Sequence, residues 1–420
     1  MTETNFSRKT LLAMAAISFA ATFLVFGYEF IRSASASLFI QAFGSARLPY
    51  AMTGVPVVLA VLIYGYARLL SRVGAKRALL ASYAVTALLF LLCYAEIKAG
   101  RAWATALLYI FGQAYIVVIV EQYWAFIDST LQPAEAKLLN GPIIGGASIG
   151  PIVGGYLVHR LAESIGTEQL ILLAVAALVP AAVLSALSYA TAGEPQPSRE
   201  EWGGLQGHLH LKLFGRSRTL PCLMAVVAVA QVVSTALSLR FYGLAEATLP
   251  TVDARTAYLG GFWSATNMVA SGLQFLVTPA ALRWLPLRAI HLTIPAIHLA
   301  SCAVLLWVPT LPMASVSFAL FKSFDYSIFR AAREVLYIPL SYDARYRAKQ
   351  VIDAFTYRFS MGATGGTLSL ATAALGTVPG TAYTALAWIG ALAWAGLALP
   401  LTREESKMYN PPVPSPSGPA

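Results

Sequence analysis

The sequence predicts an all-helical membrane protein of twelve spans in two six-helix halves, and three observations carry that prediction. Hydrophobic residues make up 58% of the 420 residues and charged ones only 11%, more apolar content than one soluble core requires. The apolar residues fall in runs of the length that crosses a bilayer, about 20 residues each. A pattern also recurs at half the chain length: Ala136-Lys137 with Gly150 and Gly154 reappears as Ala348-Lys349 with Gly362 and Gly366, an offset of 212 residues. Arg72 and Arg77 return as Arg283 and Arg288 at an offset of 211 residues, within one residue of the first. Duplicated halves of a membrane protein place a substrate path at the seam between them, near the bilayer midplane.

The spans fall at 11–31, 49–70, 78–98, 103–127, 138–160 and 168–190, and then at 219–243, 258–280, 288–308, 311–333, 350–375 and 380–402. The domain reading follows from them: a first half over 1–190, a linker over 191–218, a second half over 219–402 and a disordered cytoplasmic tail over 403–420. The linker is the longest polar interval, with Pro195, Pro197, Glu200 and Glu201, and the tail is rich in Pro and Ser. His208 and His210 in the linker have no further ligand partners, so no metal site is expected. Residues 8–31 resemble a secretory signal, but the apolar run is longer than such a signal needs, and an uncleaved first span is expected.

A net charge of +10 would suggest nucleic acid in a soluble chain. Here its distribution assigns it to topology. With both termini in the cytoplasm, the external ends hold only Arg47, Lys98, Arg101, Arg160 and Arg255, and most other Lys and Arg fall on the cytoplasmic side, as the positive-inside rule demands. The expected location is a bacterial inner membrane, as a monomer in the lipid bilayer with no nucleic-acid partner. The three cysteines, Cys93, Cys222 and Cys302, lie within spans and are odd in number, which argues against a disulfide framework.

Charged residues inside spans are costly, about 2.5–3.5 kcal/mol each on insertion scales, and usually mark a cavity or a partner. The chain has Glu29 and Arg32 on span 1, Glu121 on span 4, Arg240 on span 7, Lys322 and Asp325 on span 10, and Lys349, Asp353 and Arg358 on span 11. Glu29 with Arg32 and Lys322 with Asp325 have the i,i+3 spacing that brings opposite charges to one helix face; Lys349 with Asp353 has i,i+4. Such a pair either neutralises itself so that the helix can insert, or acts as a gate in which substrate or proton competes for one partner. Arg32, Lys349, Arg358, Arg240 and Lys322 are the expected substrate contacts. Glu29, Glu121, Asp325 and Asp353 are the expected coupling or gating acids. No catalytic Ser/His/Asp set, metal-spaced His/Cys group or phosphate loop is present, so neither an enzyme nor a cofactor is expected.

Glycines 146, 150 and 154 lie four apart on span 5 and favour close helix packing. The run 146–155 resembles the fifth-span motif of the major facilitator superfamily. Arg68 to Arg77 resembles that superfamily's loop between spans 2 and 3, with Ser71 where an aspartate is usual. A closer resemblance is to the nucleotide (ATP/ADP) transporter family of plastids and intracellular bacteria, a distant branch of the major facilitators. It rests on the block from Tyr326-Ser327-Ile328-Phe329 through Arg333-Glu334 and Tyr337-Ile338-Pro339-Leu340 to Ala348-Lys349-Gln350-Val351-Ile352-Asp353. Weaker support comes from Ile31-Arg32, Tyr123 to Phe126 with Ala134 to Lys137, and Gly260 to Thr266.

That resemblance implies a twelve-helix transporter of polyphosphates in which Arg32, Lys349 and the Arg333-Glu334 pair match family positions. Ser35, Gly112 and Ser238, or neighbours of the last two, stand where the family has a lysine and two glutamates. The interior acids also offset the cations, which favours a smaller anion or a less charged nucleotide. The expected activity is secondary active transport of a nucleotide or a related phosphorylated or anionic metabolite, by exchange or with protons. A proton-coupled exporter of an amphipathic compound and a transport-inactive scaffold or sensor are the alternatives.

Overall fold

The computed structural model describes residues 7–194, 219–337, 352 and 356–409, and every regular element among them is helical. Lys349 and Asp353, most of the linker, both linker histidines and the end of the family-like block lie outside the described residues. The helices are α1 (Arg8–Phe43), α2 (Leu48–Val73), α3 (Ala75–Lys98), α4 (Trp103–Thr130), α5 (Pro133–Ile165), α6 (Gln169–Ala192) and α7 (Thr219–Thr248). They continue with α8 (Val252–Gly272), α9 (Thr278–Trp284), α10 (Leu287–Trp307), α11 (Leu311–Tyr326), α12 (Ile328–Tyr337), α13 (Tyr357–Leu375) and α14 (Gly380–Tyr409).

Nine helical segments among the described residues are long and apolar enough to cross a membrane, and the chain is a multi-pass membrane protein. The other three expected spans are those whose helices are interrupted or abut undescribed chain. Span 8 is α8 followed by a π turn at Leu273–Val277 and then α9. Span 10 breaks at Ser327, whose backbone (φ −120°, ψ −101°) leaves the helical region between α11 and α12. Span 11 is described as a helix only from Tyr357.

Two boundaries differ from expectation. Helix α1 runs to Phe43, well past residue 31, because Ser33, Ser35 and Ser37 are not a polar end. They are 0%, 1% and 0% exposed and serve as small packing residues within the helix. Helix α14 continues to Tyr409, into the stretch expected to be a disordered tail.

The helices cluster into two compact units. One contains residues 1–206, 242–271 and 365–377, and the other contains 207–241, 272–364 and 378–420. In the first unit α1 is central, packed against α4, α5 and α6. The glycine ladder makes the α1–α5 approach possible. A Cβ on Gly154 would stand 2.6 Å from the Phe26 carbonyl oxygen, and Thr22 Oγ1 donates to the Gly146 carbonyl at 3.2 Å. Gly155, one residue on, faces α8 instead, where its Cβ would meet Gly260 O at 2.8 Å. Ser264 Oγ fastens the same crossing by donating to Ile152 O at 2.7 Å. Small residues let backbones approach to this range where lipid supplies no hydrophobic drive. On α13 a Cβ on Gly365 would lie 2.8 Å from Pro49 O on α2, while its neighbour Gly366, from the second copy of the motif, lies in ordinary contact with Thr53.

Behind this frame, Phe90 sits edge-on to both Tyr115 at 5.1 Å and Phe111 at 5.7 Å between ring centroids. In the second unit α10 packs on α11, α12 and α14, through a buried aromatic group of Phe321, Phe329 and Trp394 around His298.

Candidate functional site

Glu29 and Arg32 are one turn apart on α1 and form the expected ion pair, Arg32 Nη1 to Glu29 Oε1 at 3.3 Å. Their side chains are only 2% and 10% exposed respectively. Two residues of α8 complete the arrangement. Asn267 Nδ2 donates to the same Glu29 oxygen at 3.1 Å, and the Arg32 guanidinium carbon lies 3.1 Å from the centroid of the Trp263 ring. Tyr28 stands at 5.6 Å on its own centroid and leads on to Tyr115 at 6.3 Å. The Gly155–Gly260 crossing is what carries α8 close enough for these contacts.

Glu29 Oε2 is buried and has no hydrogen-bond partner among the described residues. The carboxylate therefore spends both of its donors on one oxygen. Arg32 pairs with Glu29 and is faced by an aromatic ring, an interaction worth about 0.5–2 kcal/mol.

The second i,i+3 pair does not form. Lys322 and Asp325 are 7% and 6% exposed, yet no ion pair joins them. Lys322 Nζ instead lies 3.4 Å from Tyr357 OH and 5.6–5.9 Å from the ring centroids of Phe318, Phe321, Tyr326 and Tyr357. Spacing permits the pair, but the lysine stem can turn toward the aromatic surface. The helix also ends at Tyr326, one residue past Asp325.

Arg358 is on the first turn of α13, with its guanidinium carbon 5.4 Å from the Tyr357 ring centroid. Arg240 on α7 packs against Gly380 at the start of α14, with its Nε buried and unpartnered. Glu121 is exposed on α4. Arg333 lies over the Phe329 ring at 4.7 Å. Glu29 and Arg32 thus belong to the first unit, and Lys322, Asp325, Arg358 and Arg240 to the second.

Ser35 and Gly112 face each other across α1 and α4: a Cβ on Gly112 would stand 4.0 Å from Ser35 Oγ and 2.8 Å from the Ile31 side chain. Trp263 and Asn267 were not among the expected site residues. The available signal was the Gly260 to Thr266 stretch, which contains one and adjoins the other.

No family model matches the sequence, and no curated protein matches it. Solved structures match its fold over nearly the whole chain. A point mutant of the nucleoside transporter NupG is 16% identical with a TM-score of 0.64, covering 96% of this chain and 100% of its own. A POT family transporter in complex with a thioalcohol-conjugated peptide is 10% identical with a TM-score of 0.65, covering 94% and 96%. A D-xylose-proton symporter is 14% identical with a TM-score of 0.61, covering 90% and 97%. The fold is that of the major facilitator type, an all-helical membrane architecture.

Proposed function

We propose that the chain is a secondary active transporter working by alternating access, and that it carries a small organic anion, a nucleotide or a related phosphorylated metabolite. The observation that carries this reading is the Glu29–Arg32 pair, nearly buried and stacked on Trp263, with one Glu29 oxygen left unpartnered. A purely structural ion pair would be expected to satisfy its remaining lone pairs. This one is built so that Arg32 can be neutralised either by Glu29 or by an incoming anion. When the anion takes Arg32, a proton takes Glu29, and the two bindings favour each other by the same factor. The fold supports the reading: the structures it matches include proteins described as a nucleoside transporter and a sugar-proton symporter.

A nucleoside triphosphate would bring more negative charge than Arg32 alone offsets. Lys322, Arg240, Arg358 and Lys349 are the proposed additional contacts, and Asp325, Asp353 and Glu121 the proposed further coupling acids. Both termini lie in the cytoplasm in this reading, following the basic residues.

The test is uptake by the purified protein in proteoliposomes, with labelled nucleotides and phosphorylated metabolites offered with and without an inward proton gradient. Saturable uptake of one of these, lost in Arg32→Gln, is expected. Transport of a lipophilic cation with no uptake of any phosphorylated anion would replace this reading with the amphipathic exporter. No transport of either class would favour a scaffold.

A further inference from the structure

The Glu29 face of α1 continues toward the end of the helix as a line of polar atoms that have no protein partner. Glu29, Ser33 and Ser37 follow one another at i,i+4, so they share a face, and they are 1%, 0% and 0% exposed. Helix α8 runs back along that face. Asn267 meets Glu29 at 3.1 Å, Trp263 meets Arg32 at 3.1 Å to the ring centroid, and Arg255 Nη1 donates to Ser37 O at 3.3 Å. Among the described residues Glu29 Oε2, Ser33 Oγ, Ser37 Oγ and Arg255 Nε are buried without a hydrogen-bond partner.

A buried hydroxyl on a helix can bond to the carbonyl four residues back. Thr22, Ser82, Ser185 and Thr256 all do so here, at 2.7–2.9 Å. Ser33 and Ser37 do not, which leaves their lone pairs and protons for something else in the seam. Four residues of α-helix rise about 6 Å, and a water with a hydrogen bond of about 2.8 Å on either side spans nearly that distance. The spacing therefore suits one water between Glu29 and Ser33 and another between Ser33 and Ser37. Buried waters are held where polar groups converge, and each gap has a carboxylate oxygen or a hydroxyl on both sides. At the far end the charge of Arg255 does not bar a proton, because the partly exposed Glu246, near the end of α7, offsets it.

We propose that Glu29, Ser33, Ser37 and Arg255 line a file of buried waters in the α1–α8 seam, and that this file carries protons between Glu29 and the Arg255 end. Each oxygen along it accepts one proton and passes another on. Glu29 Oε2 takes the last and becomes a neutral carboxylic acid; the reverse sequence releases it. Arg32 on α1 and Tyr115 on α4 are the charged or titratable groups that act on Glu29 there. The proposal rests on the reading of Glu29 as a coupling acid, and its test includes a measurement that needs no transport.

X-ray radiolysis of the full-length protein in lipid and heavy-oxygen water labels side chains that lie next to bound water. Trp263 is 2% exposed and should be labelled, relative to the unfolded chain, well above Phe126, which is 1% exposed and packs on Tyr189 of α6. Ser33→Val puts methyl groups where the hydroxyl and its water would be, and should cut the Trp263 label about tenfold, the change expected from losing one hydrogen bond. No excess label at Trp263 in the unaltered protein would overturn the file. In the second arm, uptake driven by a proton gradient should fall about tenfold in Ser33→Val and in Ser37→Val, by the same reasoning, while counterflow exchange survives and shows the variants folded. Ser33→Ala leaves room for a water in place of the hydroxyl and should recover most of the loss. Undiminished gradient-driven uptake in both valine variants would overturn the proton route. So would an equal loss of counterflow in Ser33→Val and Ser33→Ala, which would make the serines packing residues only. If the unaltered protein transports nothing, the coupling reading fails, and the labelling arm still decides whether the waters are there.

Discussion

The Arg32 guanidinium carbon lies over the Trp263 ring, 3.1 Å from its centroid. An arginine on a flexible stem can swing; one that also faces an indole is held in one place, where the proposed anion would meet it. Replacing Trp263 should therefore affect substrate binding more than folding. Trp263→Leu removes an interaction worth about 0.5–2 kcal/mol and should raise KM by about three- to tenfold, with kcat less affected. Trp263→Phe keeps an aromatic face and should recover most of the loss. Equal KM values for the two variants would show that the ring merely fills space.

Glu29→Gln keeps the shape and can still receive Asn267, but it cannot be charged. Anion binding should persist and lose any pH dependence that Glu29 confers, because no proton has to arrive at that position with the anion, whereas accumulation driven by a proton gradient should vanish. Counterflow exchange and gradient-driven uptake, measured on the same vesicles, distinguish the two. If Glu29→Gln still accumulates substrate in response to the gradient, Glu29 is not the coupling acid.

How much of this was legible in the sequence depends on the range of each contact. The Glu29–Arg32 pair is a one-turn relationship, and helix periodicity alone places both residues on one face. The glycine ladder was equally readable as packing, since Gly146, Gly150 and Gly154 recur every turn and meet Ser18, Thr22 and Phe26 on α1. Asn267 and Trp263 could not be found in that way, because their partners lie more than 200 residues away in the chain and no local period records a long-range contact. Lys322 and Asp325 illustrate the opposite limit: the spacing permits an ion pair, but the surrounding aromatic rings and the Tyr357 hydroxyl, which hold Lys322, are distributed over two helices. The end of α1 was set too early at residue 31 because the apolar run stops there, whereas Ser33, Ser35 and Ser37 are buried within the helix.

The glycine at the α5–α8 crossing gives a sharp stability contrast. A methyl group at Gly155 would stand 2.8 Å from both Gly260 O and Ser264 N, and neither is a flexible side chain that can move aside. Gly155→Ala should destabilise the protein by about 1–3 kcal/mol through overpacking and weaken substrate binding by displacing Asn267 from Glu29. Gly141, on the same helix, has nothing within 4 Å of the equivalent position, so Gly141→Ala should be neutral or stabilising by up to about 1 kcal/mol from helix propensity. Thermal unfolding in detergent or nanodiscs compares them directly; similar losses at both positions would mean that α5 does not tolerate any change there and that the close crossing is not the cause.

The two i,i+3 pairs should behave differently in double-mutant cycles, although the sequence presents them as equivalents. Removing Arg32 alone strands Glu29 in a buried site, and breaking a buried pair in this way typically costs about 3–5 kcal/mol; removing both residues should recover a large part of that cost. Lys322 and Asp325 have no direct bond to lose. Lys322→Gln and Asp325→Asn should therefore be nearly additive, with an interaction term below about 0.5 kcal/mol. Lys322→Gln should instead couple to Tyr357→Phe, since the tyrosine hydroxyl lies 3.4 Å from the lysine nitrogen. Unfolding free energies of the single and double variants supply all three cycles. A Lys322–Asp325 term as large as that of Glu29–Arg32 would mean that the lysine turns back to the aspartate in solution.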